Sequence, residues 1–312
     1  MKLRQISPSD PVSAEALRGF EATAPILLDA EFYSKGGPAD SVKEVREGST
    51  STLFRSLNED NTATPPDPNY VPATKRIVSF DAKVDVALED RNEDPEAELA
   101  VQTYLEARDA GYLFQEAIFE SDNAANSKSI DGMRKKVKAS QIITPSTAIV
   151  LALGNSDAHR QMQQEAVEKF LSSAALVVGG ATHAYMNALL KVRWLSIAKE
   201  LGYYRQTKDE LGATVEMIGD VIIRSAAHKS DGTTLLPFNE NVGGHPETSS
   251  IFFCRWGERT DLTCLTSVGL KGRYAGQSGN FIINNINMDM DLVLQNPKAL
   301  WQHKGWALKE VA

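Results

Sequence analysis

The sequence predicts an α+β fold, and three patterns indicate it. Apolar and polar residues alternate over residues 77–88, as in a strand with one buried face. Asp94, Pro95 and Glu96 then combine a cap, a first-turn proline and a first-turn acid, and the next proline is Pro145. Helical and strand-like patterns alternate through the second half. A chain of 312 residues forms one large domain or two intertwined domains.

Composition limits the classes of function. The formal net charge of -8 argues against a protein whose main task is to hold nucleic acid, because Lys and Arg supply most of that affinity. No apolar run approaches the length of a membrane span, and no signal peptide is expected from the N-terminal residues. Cys254 and Cys264 lie in strand-like surroundings and are expected to be reduced and packed. The expected compartment is a cytoplasm.

The first part of the chain contains little core pattern. Residues 1–48 have one short helical pattern at 14–22, so we expect an arm that lies outside the core. Residues 56–72 contain four of the thirteen prolines and predict an exposed loop. A candidate strand at 51–57 is expected to pair with the 77–88 strand as a long hairpin.

The 77–88 strand has two different faces. Its apolar face consists of Val78, Phe80, Ala82, Val84, Val86 and Leu88. Its polar face consists of Ser79, Asp81, Lys83 and Asp85. The helix that follows is expected to run for about 25 residues, against a usual mean of about 11 or 12. It ends in a polar insert at 120–129, which is either a site for an ion or phosphate or a joint between two structural parts. The insert lacks the regular spacing of Asp and Asn ligands that a calcium-binding loop requires.

The second half is predicted to alternate. Asn155 or Ser156 caps one helix, residues 176–180 form a buried strand, and Thr182 caps a second helix that Gly202 ends. Strand-like runs cover 214–223, 249–256, 261–270 and 286–294, and the glycines of 269–280 indicate a flexible connection. Asn296 and Pro297 open a short closing helix that ends at Gly305.

No chemical motif is complete. Gly179 and Gly180 suggest an anion site between a strand and a helix, but a tight turn is the favoured interpretation. The pairs Asp289 with Asp291 and Asp81 with Asp85 are expected on solvated strand faces. The five histidines and two cysteines show no metal or nucleophile spacing. We therefore predict no catalytic, cofactor-binding or metal-binding residue. Arg134, Lys135, Lys136 and Lys138 form the one dense basic cluster, which suits an acidic neighbour or a nucleic acid.

The order of these parts resembles the major capsid proteins of tailed bacteriophages. This Hong Kong-type fold also occurs in encapsulins and in the herpesvirus capsid floor. In that family a long spine helix is followed by an apolar residue, Asp, Gly and Leu or Met before a basic stretch, and IDGMRKKV at 130–137 matches this pattern. Looser matches follow in order at 182–190, 200–223, 248–270 and 288–306. The resemblance covers most of the chain from about Ser51, and it is specific in order but loose in letters.

The resemblance implies an architecture of five segments. These are an N-terminal arm (1–48), an extended loop hairpin (49–93), the spine helix with the first part of a peripheral domain (94–145), an axial domain (146–279), and the C-terminal part of the peripheral domain (280–312). Expected contacts with neighbouring subunits are Val78, Phe80, Lys83, Val84, Val86, Arg134, Lys135 and Lys136.

The implied function is a structural subunit without catalysis. It would assemble through hexamers and pentamers into an icosahedral shell around double-stranded DNA, in a virion built in the host cytoplasm. Implied partners are further copies of the chain, a portal protein, decoration proteins and a separate scaffolding protein, since the arm is too short for a cleaved scaffold segment. Lys83 lies in the extended loop, but no partner for a covalent cross-link is identifiable, and none is predicted.

Three alternatives remain open. An encapsulin, a cellular shell that encloses cargo enzymes, has a similar plan. A soluble α/β enzyme would use Gly179 and Gly180 as an anion site. A phage tail or adaptor protein would form rings rather than shells.

Overall fold

The computed structural model describes residues 1–36, 39–45, 55–60, 69–87, 94–154, 156–208 and 214–309. Its helices are α1 (Leu3–Ile6), α2 (Pro11–Thr23), α3 (Ile26–Asp29), α4 (Pro95–Glu120), α5 (Met133–Lys136), α6 (Asp157–Leu176) and α7 (Ala188–Glu200). Short 3₁₀ turns cover Ala139–Gln141 and Pro297–Ala299.

Three sheets accompany the helices. A two-stranded sheet contains β2 (Ala39–Lys43) and β3 (Tyr70–Thr74). A five-stranded sheet contains β1 (Phe32–Ser34), β4 (Arg76–Asp85), β13 (Leu262–Thr266), β14 (Lys271–Ser278) and β15 (Phe281–Leu294). A nine-stranded sheet contains β5 (Ile142–Ile143), β6 (Ile149–Val150), β7 (His183–Met186), β8 (Tyr204–Lys208), β9 (Thr214–Ile218), β10 (Val221–Ser225), β11 (Glu240–Val242), β12 (His245–Cys254) and β16 (Leu300–Ala307).

Helix α4 is the long helix that the sequence predicts. The Asp94 side chain accepts a hydrogen bond from the Glu96 backbone N–H, and Pro95 occupies the first turn, where a missing N–H has no cost. The helix runs for 26 residues. Its buried face includes Leu99, Ala107 and Phe114.

The N-terminal region is part of the core, which corrects the expectation of an arm outside it. Helix α2 lies against α4, and Phe20 meets Phe114 edge to face with ring centroids 5.1 Å apart. Leu3, Ile26 and Phe32 are buried in the same apolar cluster. The apolar residues here are too widely spaced to form a continuous helical stripe, so the sequence pattern understates their burial.

The five-stranded sheet is built around β15. Strands β13 and β14 pair with successive parts of one edge of β15, and β4 pairs with the other edge. The expected pairing of β4 with 51–57 is wrong for the described residues 55–57, which form no strand, and 51–54 lie outside the described residues. The hairpin is instead β2 with β3, and it includes Pro72 from the predicted loop. The glycine-rich 269–280 region is not a flexible connection: β14 occupies most of it.

The nine-stranded sheet is covered by α6 and α7. The Ser156 side chain caps α6, while Asn155 lies outside the described residues. Residues 176–180 are the end of α6 and a turn, not a strand. The strand comes later, as β7, and Asn187 rather than Thr182 caps α7. Here a short buried strand and a helix produce one apolar run, which periodicity alone cannot divide.

The C-terminal helix prediction is also wrong. Pro297 begins only a 3₁₀ turn, and β16 follows it in antiparallel pairing with β12. Long-range pairing determines the outcome, because β16 also forms parallel pairs with β5 and β6.

The two large sheets cross the expected segment boundaries. Strands β13 and β14 come from 146–279 but join β15, and β16 comes from 280–312 but lies in the nine-stranded sheet. The chain therefore passes between the sheets more often than the five-segment plan implies. The division into structural domains stays a prediction.

Candidate assembly surfaces

The inward face of β4 is covered by its own chain. Val78 and Phe80 pack against the main apolar core, and Val84 is buried with Leu99 of α4. Val86 is partly buried in the same small cluster as Val84. A neighbouring subunit is therefore not needed to cover this face, contrary to the expectation from the sequence. A contact with another copy at these four residues stays a prediction.

The outward face of β4 is polar. Asp81 and Asp85 are exposed, as expected for a solvated strand face. Lys83 lies 4.0 Å from Asp81, and Asn285 on β15 donates a hydrogen bond to Asp81 at 2.5 Å. Lys83 remains available for contact with another molecule, because its side chain is 53% exposed.

Helix α4 presents an exposed apolar row, which we name the spine ridge. Its members are Ala97, Val101, Leu105 and Leu113, spaced by multiples of four residues, with Asp109 in the same row. Residues at this spacing form a continuous ridge on a helix. Leu113 is 62% exposed and Val101 50% exposed. A groove of about 670 Å³ separates the Leu113 end of the ridge from Ile77 on β4.

The polar insert is a joint. The Gly132 backbone N–H donates to the Ser121 carbonyl oxygen at 2.8 Å, which closes the segment into a loop. Asp131 accepts from the Asn123 backbone N–H at 2.9 Å, and Lys135 pairs with Asp122 at 2.8 Å. A side chain at Gly132 would meet the Ala117 carbonyl oxygen at 2.6 Å, so the helix end and the next turn lie in close contact.

The acids near this joint do not form a metal site. Among the described residues no three His, Cys, Asp or Glu side chains lie close enough to hold a metal ion. Lys135 holds the pKa of Asp122 below its usual value through a hydrogen bond, which is the behaviour of an ion pair.

The basic cluster faces acids of its own chain. Arg134 lies 3.6 Å from Glu240, and Lys135 pairs with Asp122. The charge of Lys136 acts on buried Asp291. The acidic neighbour expected from the sequence is thus at least partly intramolecular. Contact of Arg134, Lys135 and Lys136 with another subunit stays a prediction.

The glycine pair forms a turn after the C-terminus of a helix, and anions bind at the opposite end, the N-terminus. Gly179 and Gly180 have φ of 71° and 82° and follow the C-terminus of α6. A helix C-terminus carries partial negative charge and disfavours anions. The space beside Gly179 is occupied by the guanidinium of Arg255, which lies 3.4 Å from Asp261. The tight-turn interpretation is confirmed, and its predicted strand-to-helix setting is wrong.

Asp289 and Asp291 are not on a solvated face, which corrects the sequence expectation. Asp291 is 4% exposed and accepts a hydrogen bond from the Thr74 backbone N–H at 3.0 Å. Asp289 accepts from the Ser267 backbone N–H at 2.9 Å and lies 3.9 Å from the Lys75 ammonium. The β2–β3 hairpin covers Asp291, and Ser267 and Lys75 cover Asp289, which strand alternation alone cannot reveal.

A buried polar network was missed by the sequence analysis. Asp29 accepts hydrogen bonds from the Arg224 guanidinium at 2.8 to 3.1 Å, and His183 Nε2 lies 3.5 Å away. Tyr185 donates to Asp29 at 3.2 Å, and Trp256 donates to Tyr185 at 2.9 Å. No local pattern signals this network, because its members come from separate regions of the chain.

The two cysteines are confirmed as free and buried. Burial keeps water away from the thiolate form and therefore raises the pKa of both thiols. Neither thiol is a reactive nucleophile. Within the described residues, no helix is long and apolar enough to cross a membrane.

Comparison with known proteins identifies the fold. No protein-family model matches the chain, and no curated protein matches it. Among solved structures, the holo-SrpI encapsulin complex of Synechococcus elongatus PCC 7942 matches with a TM-score of 0.61 at 12% identity, over 94% of this chain and 91% of that chain.

Two other solved structures match with lower TM-scores. The virus-like particle of Pyrococcus furiosus matches with a TM-score of 0.52 at 11% identity, over 94% of this chain and 97% of that one. Mycobacterium phage Bobi matches with a TM-score of 0.52 at 10% identity, over 92% and 91%. The predicted fold is confirmed: the chain has the Hong Kong-type capsid fold, an α+β fold with a long spine helix.

Proposed function

We propose that this chain is the major capsid protein of a tailed bacteriophage, a structural subunit that assembles through hexamers and pentamers into an icosahedral shell. The fold supports the proposal, since encapsulin, virus-like particle and phage structures share it over more than 90% of each chain. In this proposal the five-stranded sheet with α4 forms the peripheral domain, and the nine-stranded sheet forms the axial domain.

The spine ridge is the observation that carries the proposal. It extends over about 24 Å of helix at about 1.5 Å per residue, and it projects apolar side chains into solvent. Contiguous exposed apolar surface on a folded chain usually marks a contact with another protein. Asp109 lies within the row and Glu106 beside it, so the surface that covers the ridge is expected to be apolar with a basic group opposite these acids.

The extended loop supplies a second contact. Residues 44–69 connect β2 to β3, and 46–54 and 61–68 of this connection lie outside the described residues. We propose that β4 and the residue just after it lie near this contact, through Val78, Phe80, Lys83, Val84 and Val86.

The remaining partners follow from the same proposal. The shell would enclose double-stranded DNA within a virion assembled in the host cytoplasm. A separate scaffolding protein, a portal protein and decoration proteins would act on it. No catalytic residue, cofactor or metal is assigned.

An encapsulin-type shell is the alternative that the fold favours equally, since an encapsulin is among the matching structures. The contents of the shell distinguish the two, because a phage capsid holds DNA and an encapsulin holds cargo protein. The enzyme alternative loses its anion site, since Gly179 and Gly180 follow a helix C-terminus.

Electron microscopy of the purified chain tests the proposal. The chain is examined alone and again with its candidate scaffolding protein. Shells, or free rings of about five and six subunits, are expected for closed symmetric assembly. A uniform monomer under both conditions would falsify the shell assignment.

A further inference from the structure

The β2–β3 hairpin is attached to the five-stranded sheet by a small apolar contact, which we name the root. Val42 and Ala73 of the hairpin pack against Leu265 and Val293, and these four make a buried cluster separate from the main core. The Val45 backbone N–H also donates to the Gln295 carbonyl oxygen at 2.9 Å. With Tyr33 and Val71 at its edge, this cluster is still small, so the hairpin is expected to have a lower local stability than the main core.

The described link that follows the hairpin is short. Lys75 alone separates Thr74, the last residue of β3, from Arg76, the first residue of β4. On the other side, residues 37 and 38 lie outside the described residues. At the described link, a movement of the hairpin away from the sheet requires changes at only a few backbone positions.

Asp291 lies beneath this root. It is on the same face of β15 as Val293, and its Cα is paired with that of Leu265. Its carboxylate is buried and accepts the Thr74 backbone N–H at 3.0 Å, so it holds the link by which the chain leaves the hairpin. If the hairpin moved away, water would reach this carboxylate.

Burial of a carboxyl group favours its neutral form, whereas exposure to water favours the ionised form. The docked hairpin therefore binds a proton that the undocked hairpin releases. We propose that Asp291 is a proton-controlled latch, which holds the β2–β3 hairpin on the sheet in acid and loosens it near neutral pH.

The charges around Asp291 determine the pH range in which it acts as a latch. Burial, opposed by the cation of Lys136 and by the Thr74 hydrogen bond, raises the pKa of Asp291 to about 6. Asp131 adds to the increase, and the Cys264 thiol close by stays neutral because its own pKa is raised.

Lys75 and Asp289 form a second polar contact on the same face of β15. Lys75 is buried, donates to the Ser267 hydroxyl at 3.0 Å and lies 3.9 Å from Asp289. Ser267 also donates its backbone N–H to Asp289. Asp289 accepts hydrogen bonds from side-chain and backbone donors, whereas the described hydrogen-bond donors to Asp291 are backbone N–H groups.

The direction of the pH effect on docking follows from its linkage to proton binding. The pKa of Asp291 is higher in the docked state than in the undocked state, so acid favours docking, and the advantage disappears as pH rises through about 6. Between pH 7.5 and pH 5, the docking equilibrium is expected to increase about ten-fold.

Hydrogen exchange of the full-length chain, expressed as protection factors corrected for intrinsic pH dependence, measures this equilibrium. Amides of β3 are expected to gain about ten-fold protection from pH 7.5 to pH 5. Asp291→Asn mimics the neutral form and should remove the pH dependence. Asp81→Asn, on the exposed face of β4, is the matched control and should retain it.

A second variant keeps the test decisive if Asp291→Asn fails to fold. Lys136→Gln removes the cation that opposes neutralisation, so the midpoint of the protection change should move to higher pH. Equal protection of β3 at both pH values in the natural chain would overturn the latch. An unmoved midpoint in Lys136→Gln, or an unchanged pH dependence in Asp291→Asn, would do the same.

One consequence rests on the proposed function. If the hairpin contacts neighbouring subunits, its release near neutral pH makes that contact pH-dependent. Failure of the exchange experiment leaves shell formation untouched, and failure to form shells leaves the latch untouched, so the two proposals are tested separately.

Discussion

Asp29 of α3 and Arg224 of β10 form a bidentate ion pair that joins the N-terminal region to the nine-stranded sheet. Asp29 is 4% exposed, and its two oxygens accept from Arg224 Nε and Nη2. Burial acts to raise the pKa of Asp29, but hydrogen bonds and charges of His183 and Arg224 hold it below its usual value. Asp29 therefore remains ionised at neutral pH and needs its cation.

Removal of that cation should be costly. Arg224→Met leaves a buried carboxylate without its bidentate partner, and we expect a loss of about 3–5 kcal/mol in the free energy of unfolding. Urea denaturation measures it. Arg205→Met is the control, because Arg205 and Asp220 form a pair that is 70% and 94% exposed and should contribute less than about 1 kcal/mol. Similar losses in both variants would contradict a structural role for the buried pair.

The contact between α2 and α4 requires glycine at position 19. A Cβ there would lie 2.9 Å from the Ala107 Cβ and closer still to the Tyr104 carbonyl oxygen. Gly19→Ala should therefore force the helices apart and lower the melting temperature, at a cost of about 1–3 kcal/mol. Gly36→Ala, where the added carbon meets nothing within 4 Å, should leave the melting temperature nearly unchanged. If both variants melt like the natural chain, the helices are not closely packed at Gly19.

The sequence predicts those parts of the fold whose signals are local. Asp94 and Pro95 mark the start of α4 because capping depends on adjacent residues alone. Alternation correctly assigned the two faces of β4, since period two depends only on the strand itself. The capsid resemblance predicted the fold from the order of parts, which no single physical pattern in the sequence could do.

The errors have a common physical cause, which is pairing between distant segments. Leu300 begins a strand because β12 pairs with it, although Asn296 and Pro297 have the pattern of a helix start. Asp291 is buried because a hairpin more than two hundred residues earlier in the chain covers it. The Asp29 network combines residues from α3, β7 and β10, so no window of sequence contains its signal.

The spine ridge should be needed for assembly but not for folding. Leu105→Asp adds a charge to an exposed ridge position, so it should abolish shells in electron microscopy while the melting temperature of the subunit changes little. Ala100→Asp adds the same charge to an exposed position of α4 outside the ridge and should still form shells. Shells of normal yield from Leu105→Asp would remove the ridge from the contact surface.

Acid should destabilise the nine-stranded sheet through His303. This imidazole is buried, its Nδ1 lies 2.7 Å from the Ser173 hydroxyl, and its Nε2 has no hydrogen-bond partner among the described residues. Burial first, and the charge of Lys169 second, lower its pKa to about 4. The folded state therefore binds fewer protons than the unfolded state between pH 6.5 and about 4, so stability falls as pH falls through that window. The loss reaches about 3 kcal/mol at the acid end.

His303→Gln keeps a polar side chain but removes the titration, so its unfolding free energy should vary less with pH over this range. His159→Gln is the matched control, because His159 lies at the exposed start of α6 and should leave the natural pH dependence unchanged. Urea denaturation at pH 7, 6, 5 and about 4.5 measures both variants. The pH slope of the natural chain, retained in His303→Gln, would assign the acid sensitivity to another group.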